Sequence, residues 1–352
     1  MTNQDTSPFH RLGGRTRPAL LGLAALAAVF VVAAWGMQQQ SETPPPAGLL
    51  DEDEELPEDI PELPADITYG ERQDILPPMV SIQPETATQL QGAFATLDYD
   101  WPPNDTVPAL AVRAFPPLGE LSVDERKSVF FRTLLPLIVA ENQIMLKTRE
   151  RLGEIFAGGE IEPNSREDRL LQTVAARFRV AGDSNSTAFR EELLRRVDAV
   201  PADMALAQAA NESGWGQSRF TREANNLFGV WTWHEDRGLV PERRVAGATH
   251  FVRVFPDLRA SVRNYLYTIN VGDAYAGLRE SREQGRAEGV GLSGARLAAG
   301  LHRYSERGEA YVEEIRSMIR VNDLEGLDGL QLTPVDARRL LDAADWTADL
   351  QQ

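Results

Sequence analysis

Cysteine is absent from the 352 residues, which excludes disulfides, zinc–thiolate sites, iron–sulfur clusters and thiol nucleophiles together. Histidine is scarce. The four present are scattered with no pair at close spacing, which argues against a His-rich metal centre. Positive charge is in short supply: 36 Lys and Arg face 53 Asp and Glu, a net charge of −17 that argues against nucleic acid as a partner. Apolar residues, by contrast, make up 42% of the chain, enough to bury a core and to exclude a fully disordered protein. The length allows two domains at roughly 150 residues each, or one with appendages.

The acidity is unevenly placed. Residues 1–40 carry a net +2, residues 41–75 a net −11, and the remainder only −8, so the low isoelectric point describes a linker more than a domain. Between Arg17 and Glu42 there is no charge, and Pro18–Met37 reads PALLGLAALAAVFVVAAWGM. Twenty such residues at about 1.5 Å each span roughly 30 Å, the thickness of a bilayer's hydrocarbon core. Val32-Ala33-Ala34 also fits a signal-peptide cleavage site, but the apolar length favours an uncleaved anchor. Arginines before the span and acids after it place residues 1–17 in the cytoplasm and the bulk of the chain outside, as in a single-pass membrane protein. Residues 38–75, rich in proline and acids, read as an extended tether.

Residues 76–120 are left as extended chain of unassigned role. From 121 the periodicity is helical. Ser122–Glu125 is a capping box before an apolar run that reaches Phe156 and carries Pro136, a residue expected to kink it. Arg169–Val180 aligns Leu170, Leu171, Val174 and Phe178 on one stripe; Thr187–Val197 aligns Phe189, Leu193, Leu194 and Val197. Residues 121–198 therefore read as a helical lead-in to a domain at 199–322. Residues 323–352 read as a helical tail, with Thr333-Pro334 opening a helix.

The richest stretch is VPADMALAQAANESGWGQSRFTREANNLFGVWTW, residues 200–233. Pro201 suits the first helical position and Gly214 the position after a helix end, giving a helix of 202–213 with Glu212 in its last turn. Ala205, Gln208 and Ala209 share its face. The negative end of the helix dipole disfavours a carboxylate there, as would burial against Trp215 or Phe220. Only Arg219 and Arg222 are at hand to oppose the shift. A carboxylic acid held protonated near neutral pH is what a glycosidase needs to protonate a leaving oxygen. The bland alternative is an exposed glutamate before a glycine stop.

Ala207–Gly216 (AQAANESGWG), Ser218-Arg219-Phe220 and Asn225–Gly229 (NNLFG) resemble the bacterial glucosaminidase family that includes flagellar peptidoglycan hydrolases. KSVFFRTLLPLIVAENQIMLKTRERL (127–152) and HRYSERGEAYVEEI (302–315) look more like its Bax branch. The resemblance spans roughly 125–320. It implies an α+β, mostly helical, lysozyme-like domain with a small β-lobe, no cofactor or metal, and peptidoglycan glycan strands as partner. The reaction implied is hydrolysis of the β-1,4 bond between N-acetylglucosamine and N-acetylmuramic acid, with Glu212 as catalytic acid. By the same resemblance Tyr304 faces that acid as a second catalytic residue that orients the substrate or stabilises the transition state, the alternative being a packed tyrosine with its hydroxyl satisfied. Here Tyr311 follows seven residues on rather than six and Glu306-Arg307 replaces an Asp-Pro pair.

The lobe is expected at 230–255, with Thr249–Phe255 as a strand and Pro256-Asp257 capping the next helix. Trp215, Phe228, Trp231 and Trp233 offer flat faces for sugar rings, or else core packing, and Asn226 of the NNLFG run joins the expected substrate-binding set. The family's second glutamate lies in the lobe, where Glu242 is the first candidate and Glu235 and Asp236 stand behind it. If none serves, the acetamido oxygen of the sugar acts instead. Three other readings stand beside the hydrolase: a lytic transglycosylase, a non-catalytic wall-binding module, and an amidase of the peptide stem.

Overall fold

The computed structural model describes residues 60, 62–64, 76–241 and 249–343, the side chains of 341–343 aside. The anchor expected at 18–37 lies outside these residues, and so does nearly all of the linker at 38–75.

Strand β1 (Val80–Ile82) leads into helix α1 (Ala87–Thr96), which begins with a reciprocal capping box between Thr86 and Gln89. Two short strands follow, β2 (Thr106–Pro108) and β3 (Leu110–Val112), and β1 pairs with β3 in parallel, Val80 opposite Leu110. Residues 76–120 thus hold ordered structure with buried Leu90, Phe94, Val107 and Leu110.

Helix α2 (Val123–Ala157) is the longest helix among the described residues. Ser122 and Glu125 form the capping box expected from the sequence, and the helix continues through Pro136 for 35 residues. By length and composition α2 is apolar enough to cross a membrane, but 78% of its apolar window is buried inside the protein. Its apolarity is that of a core helix covered on several sides. Helices α3 (Arg166–Arg177) and α4 (Thr187–Arg196) start at serine caps, Ser165 and Ser186, and bury Leu171, Val174, Phe178, Phe189, Leu193 and Val197. With Met145 and Leu152 of α2 these residues form a core cluster of their own.

Helix α5 (Ala202–Ser213) is almost entirely buried, because six positions around it are alanine or serine and neighbours approach closely on every side. Pro201 is its N-cap rather than its first helical residue, and Gly214 closes it at φ 57°, a left-handed turn open to glycine at little cost. Asn142 of α2 clamps the entry, donating to the Val200 carbonyl at 2.7 Å and accepting from the Val200 N–H at 3.0 Å. Just upstream, buried Asp198 is paired with Arg286 and stands 3.6 Å from buried Arg282.

A short helix α6 (Arg219–Ala224) follows, ending at Asn225. The lobe consists of β4 (Trp231–Thr232), β5 (Gly238–Leu239) and β6 (Phe251–Arg253), with β6 in the centre and antiparallel to both others. The strand expected over 249–255 is therefore trimmed to three residues. Asp257 then caps α7 (Leu258–Val271) by accepting from the Ala260 N–H at 2.8 Å, and Leu258, Val262, Tyr265, Leu266 and Ile269 are buried as the stripe predicts. Helices α8 (Ala276–Ala287), α9 (Gly294–Leu297) and α10 (Glu309–Val321) complete the body; α5 packs against α2 and α10.

The C-terminal segment departs from its purely helical reading. Residues 331–333 form β7, parallel to β2 with Thr106 opposite Gln331, and helix α11 (Ala337–Ala343) begins four residues after Thr333. A three-residue strand whose partner lies more than two hundred positions away has no local pattern to betray it. The architecture is a mostly helical α+β fold.

Candidate active site

Glu212 is partly exposed on the last turn of α5, at the i+4 position from Gln208. Its Oε1 accepts from the Tyr311 hydroxyl at 2.8 Å and, at a longer 3.4 Å, from the Asn211 side-chain amide. Oε2 has no hydrogen-bond partner among the described residues. Burial pushes the Glu212 pKa up to about 7; the bonds from Tyr311 and Asn211 pull the other way, Glu314 adds to the rise and Arg307 opposes it. The cation acting on Glu212 is thus Arg307, itself bonded to Glu314 at 2.6 Å, rather than Arg219, which pairs with Glu223 at 3.0 Å.

Tyr311 reaches the acid from the first turn of α10. Gly308, at φ 50°, turns the chain between Tyr304 and that helix. The Tyr311 ring stacks on Tyr304 with centroids 5.3 Å apart, while the Tyr304 hydroxyl donates to the Phe228 carbonyl at 3.3 Å. Burial first, and the neighbouring Glu212 carboxylate second, raise both tyrosine hydroxyls well above their ordinary pKa, so they are neutral donors. The site thus places one carboxyl group whose pKa lies near neutral pH, with Oε1 bonded internally and Oε2 without a hydrogen-bond partner among the described residues.

Residues 188–324 match the family model for glucosaminidase, mannosyl-glycoprotein endo-beta-N-acetylglucosaminidase. Over 198 residues the chain is 31% identical to Protein bax of Escherichia coli (strain K12), an alignment that covers 56% of this chain and 70% of that protein. The chain belongs to the Bax-like glucosaminidase family. Glycosidase chemistry on a glycan substrate follows from that membership. No solved structure matches the chain.

Within this glucosaminidase domain the expected site residues divide. Tyr304 does not bond to Glu212; it braces Tyr311, and Tyr311 is the tyrosine on the acid. The sequence signal for Tyr311 was its place on the apolar stripe with Val312, Ile315 and Ile319, which turns it toward α5. Asn226 is buried and used up by backbone: it donates to the Val230 and Arg253 carbonyls at 2.8 and 2.9 Å and accepts from the Val230 N–H at 2.9 Å. It ties the lobe to the helical body instead of facing substrate. Phe228 is also buried, stacked on Tyr265 at 4.1 Å, so its ring is core and its carbonyl does the work.

Trp215 is wedged edge-on against Phe130 and Phe131 of α2, with the Lys127 ammonium 4.9 Å over its ring, so this face is already occupied. Trp231 is partly exposed beside His250, and Trp233, 52% exposed, is the most open of the expected aromatics. Glu242 lies outside the described residues. Glu235 and Asp236 are exposed on a 3₁₀ turn of the lobe, between β4 and β5. Among the described residues no group of three His, Asp or Glu could hold a metal ion. A cavity of about 320 Å³, bordered by Gln83, Arg113, Asn225 and Pro256, includes none of the expected site residues.

Proposed function

We propose that the protein is a membrane-tethered peptidoglycan hydrolase that cleaves the β-1,4 bond from N-acetylglucosamine to N-acetylmuramic acid, with Glu212 as general acid. The observation that carries this reading is the raised pKa of Glu212, about 7, at a partly exposed helix end in a glucosaminidase domain. A proton retained at neutral pH is available for the bridging oxygen as the bond breaks. In this reading the lobe forms one wall of the glycan groove, and its partly exposed Trp231 and exposed Trp233 offer ring-stacking surface. The helical body is lysozyme-like in this reading. The second catalytic group is either a lobe carboxylate, Glu242 first among them, or the acetamido oxygen of the substrate.

The uncharged run 18–37 anchors the chain in the inner membrane, and the acidic tether carries the enzyme through the periplasm to the wall. The test is Glu212→Gln, assayed on purified sacculi with mass spectrometry of the products. The expected loss is about 10²–10⁴ in rate with little change in thermal stability. Full activity in the variant overturns the assignment. Reducing N-acetylglucosamine ends mark the hydrolase proposed; anhydro-muramic ends mark a lytic transglycosylase.

A further inference from the structure

Gln208 is fully buried one helical turn before Glu212, and both ends of its amide are bonded. The Tyr265 hydroxyl donates to its Oε1 at 2.6 Å, and its Nε2 donates to the Tyr311 oxygen at 3.0 Å. Tyr311 in turn donates to Glu212 Oε1. Each hydroxyl has a single hydrogen, and each end of the amide is either donor or acceptor, so these four side chains form a chain with a direction.

The same heavy atoms admit the opposite direction. With the amide flipped, a protonated Glu212 would give its hydrogen to Tyr311, Tyr311 would donate to Gln208, and Gln208 to Tyr265. The two arrangements differ in where the acid's hydrogen points. In the forward direction Oε1 is an acceptor, so the proton sits on Oε2, the oxygen without an internal partner. In the reverse direction the proton is on Oε1, aimed into the core and out of reach of a sugar oxygen.

Tyr265 breaks the tie. It is buried, and among the described residues Gln208 is its one hydrogen-bond partner. Forward, its hydrogen is paired. Reversed, that hydrogen has no acceptor, and an orphaned buried donor is penalised more heavily than a typical bond is rewarded.

We propose that Tyr265 and Gln208 are positioning residues, the head of a one-way hydrogen-bond chain through Tyr311 that keeps the proton of Glu212 on Oε2. This rests on Glu212 being the acid. The charged groups around the chain are the Arg307–Glu314 pair beside Glu212, on α10 and the loop before it, and Asp203 at the far end of α5, which acts on Tyr265. Tyr304 stacks on Tyr311 and stays neutral, its hydroxyl raised well above the ordinary tyrosine pKa, and the Tyr275 ring lies 6.3 Å from that of Tyr304. Asp203 and the ion pair are common to parent and variant, so the two are compared directly.

Tyr265→Phe keeps the ring on Phe228 and removes the hydroxyl alone. The full-length chain is assayed on soluble glycan strands from pH 5 to 9, with melting temperatures to show that both proteins are folded. If reversal becomes accessible, kcat at low pH falls by the factor that divides the protonated acid between two states, about two- to tenfold, with KM unchanged. The basic limb moves up by the logarithm of that same factor, about 0.3 to 1 pH unit, and the two profiles converge at high pH. Gln208→Met breaks the chain at its centre and is expected to converge in the same way. Unchanged kcat, or a loss that is uniform across pH with an unmoved limb, overturns the proposal. An active Glu212→Gln variant overturns the acid assignment instead.

Discussion

At Glu212 two effects raise the pKa and three lower it, and burial is the largest of them. If Glu212 is the acid, activity is expected to fall to half its acid-side value near pH 7 and to be lost as the pH climbs further; a flat profile from pH 5 to 8 would contradict the role. Arg307 is one of the lowering influences and also neutralises Glu314, a raising one. Arg307→Ala therefore removes the first and frees the second, and the basic limb of the pH–rate profile is expected to move upward; a downward move would contradict this electrostatic account. Glu212 itself was legible in the sequence, because a glycine stop and a helical face are local signals. Its true tyrosine partner was less so. Tyr304 and Tyr311 stand in one short stretch, and which hydroxyl meets the carboxyl depends on the turn at Gly308 and the rotation of α10 against α5.

The lobe illustrates the element scale. Its strands are two or three residues long and could not hold together as an isolated sheet. Asn226 supplies the missing restraint by bonding both sides of the lobe, at Val230 and Arg253. Asn226→Ala is expected to cost about 1–3 kcal/mol of stability, read as a lower melting temperature, because backbone groups are left unpaired. If the lobe forms one wall of the glycan groove, as proposed, activity is expected to fall with it. Long elements such as α2 and α5 were readable from capping boxes, stripes and a glycine stop. The short strands were not, since pairing partners far apart in the chain leave no periodicity to read.

Over the whole molecule, the C-terminal segment closes onto the start of α5. Asp328 accepts from the Ala202 N–H at 3.0 Å, and its pKa is pushed up to about 7 by burial first and by nearby Asp203. Asp203, bonded to the Gly294 N–H at 3.0 Å, is itself raised to about 6. Both acids bind protons more tightly folded than unfolded. Their stabilising contribution is therefore complete below an ordinary aspartate pKa of about 4 and fades as pH rises through 6 to 7. Asp328→Asn keeps an oxygen for Ala202 and abolishes the ionisation. Its melting temperature should exceed the parent's at pH 8 and differ little at pH 5; the reverse order would refute the linkage. The sequence by itself determined the helices, their caps, the acid at a helix end and the family resemblance, because propensity, capping and hydrophobic period act over a few residues. Only the tertiary structure decided that Tyr311 bonds to the acid, that Asn226 and Phe228 serve the scaffold, and that Tyr265 and Gln208 align with Glu212. Those contacts join residues from α5, α7 and α10, and the direction of a hydrogen bond between distant helices is set by packing.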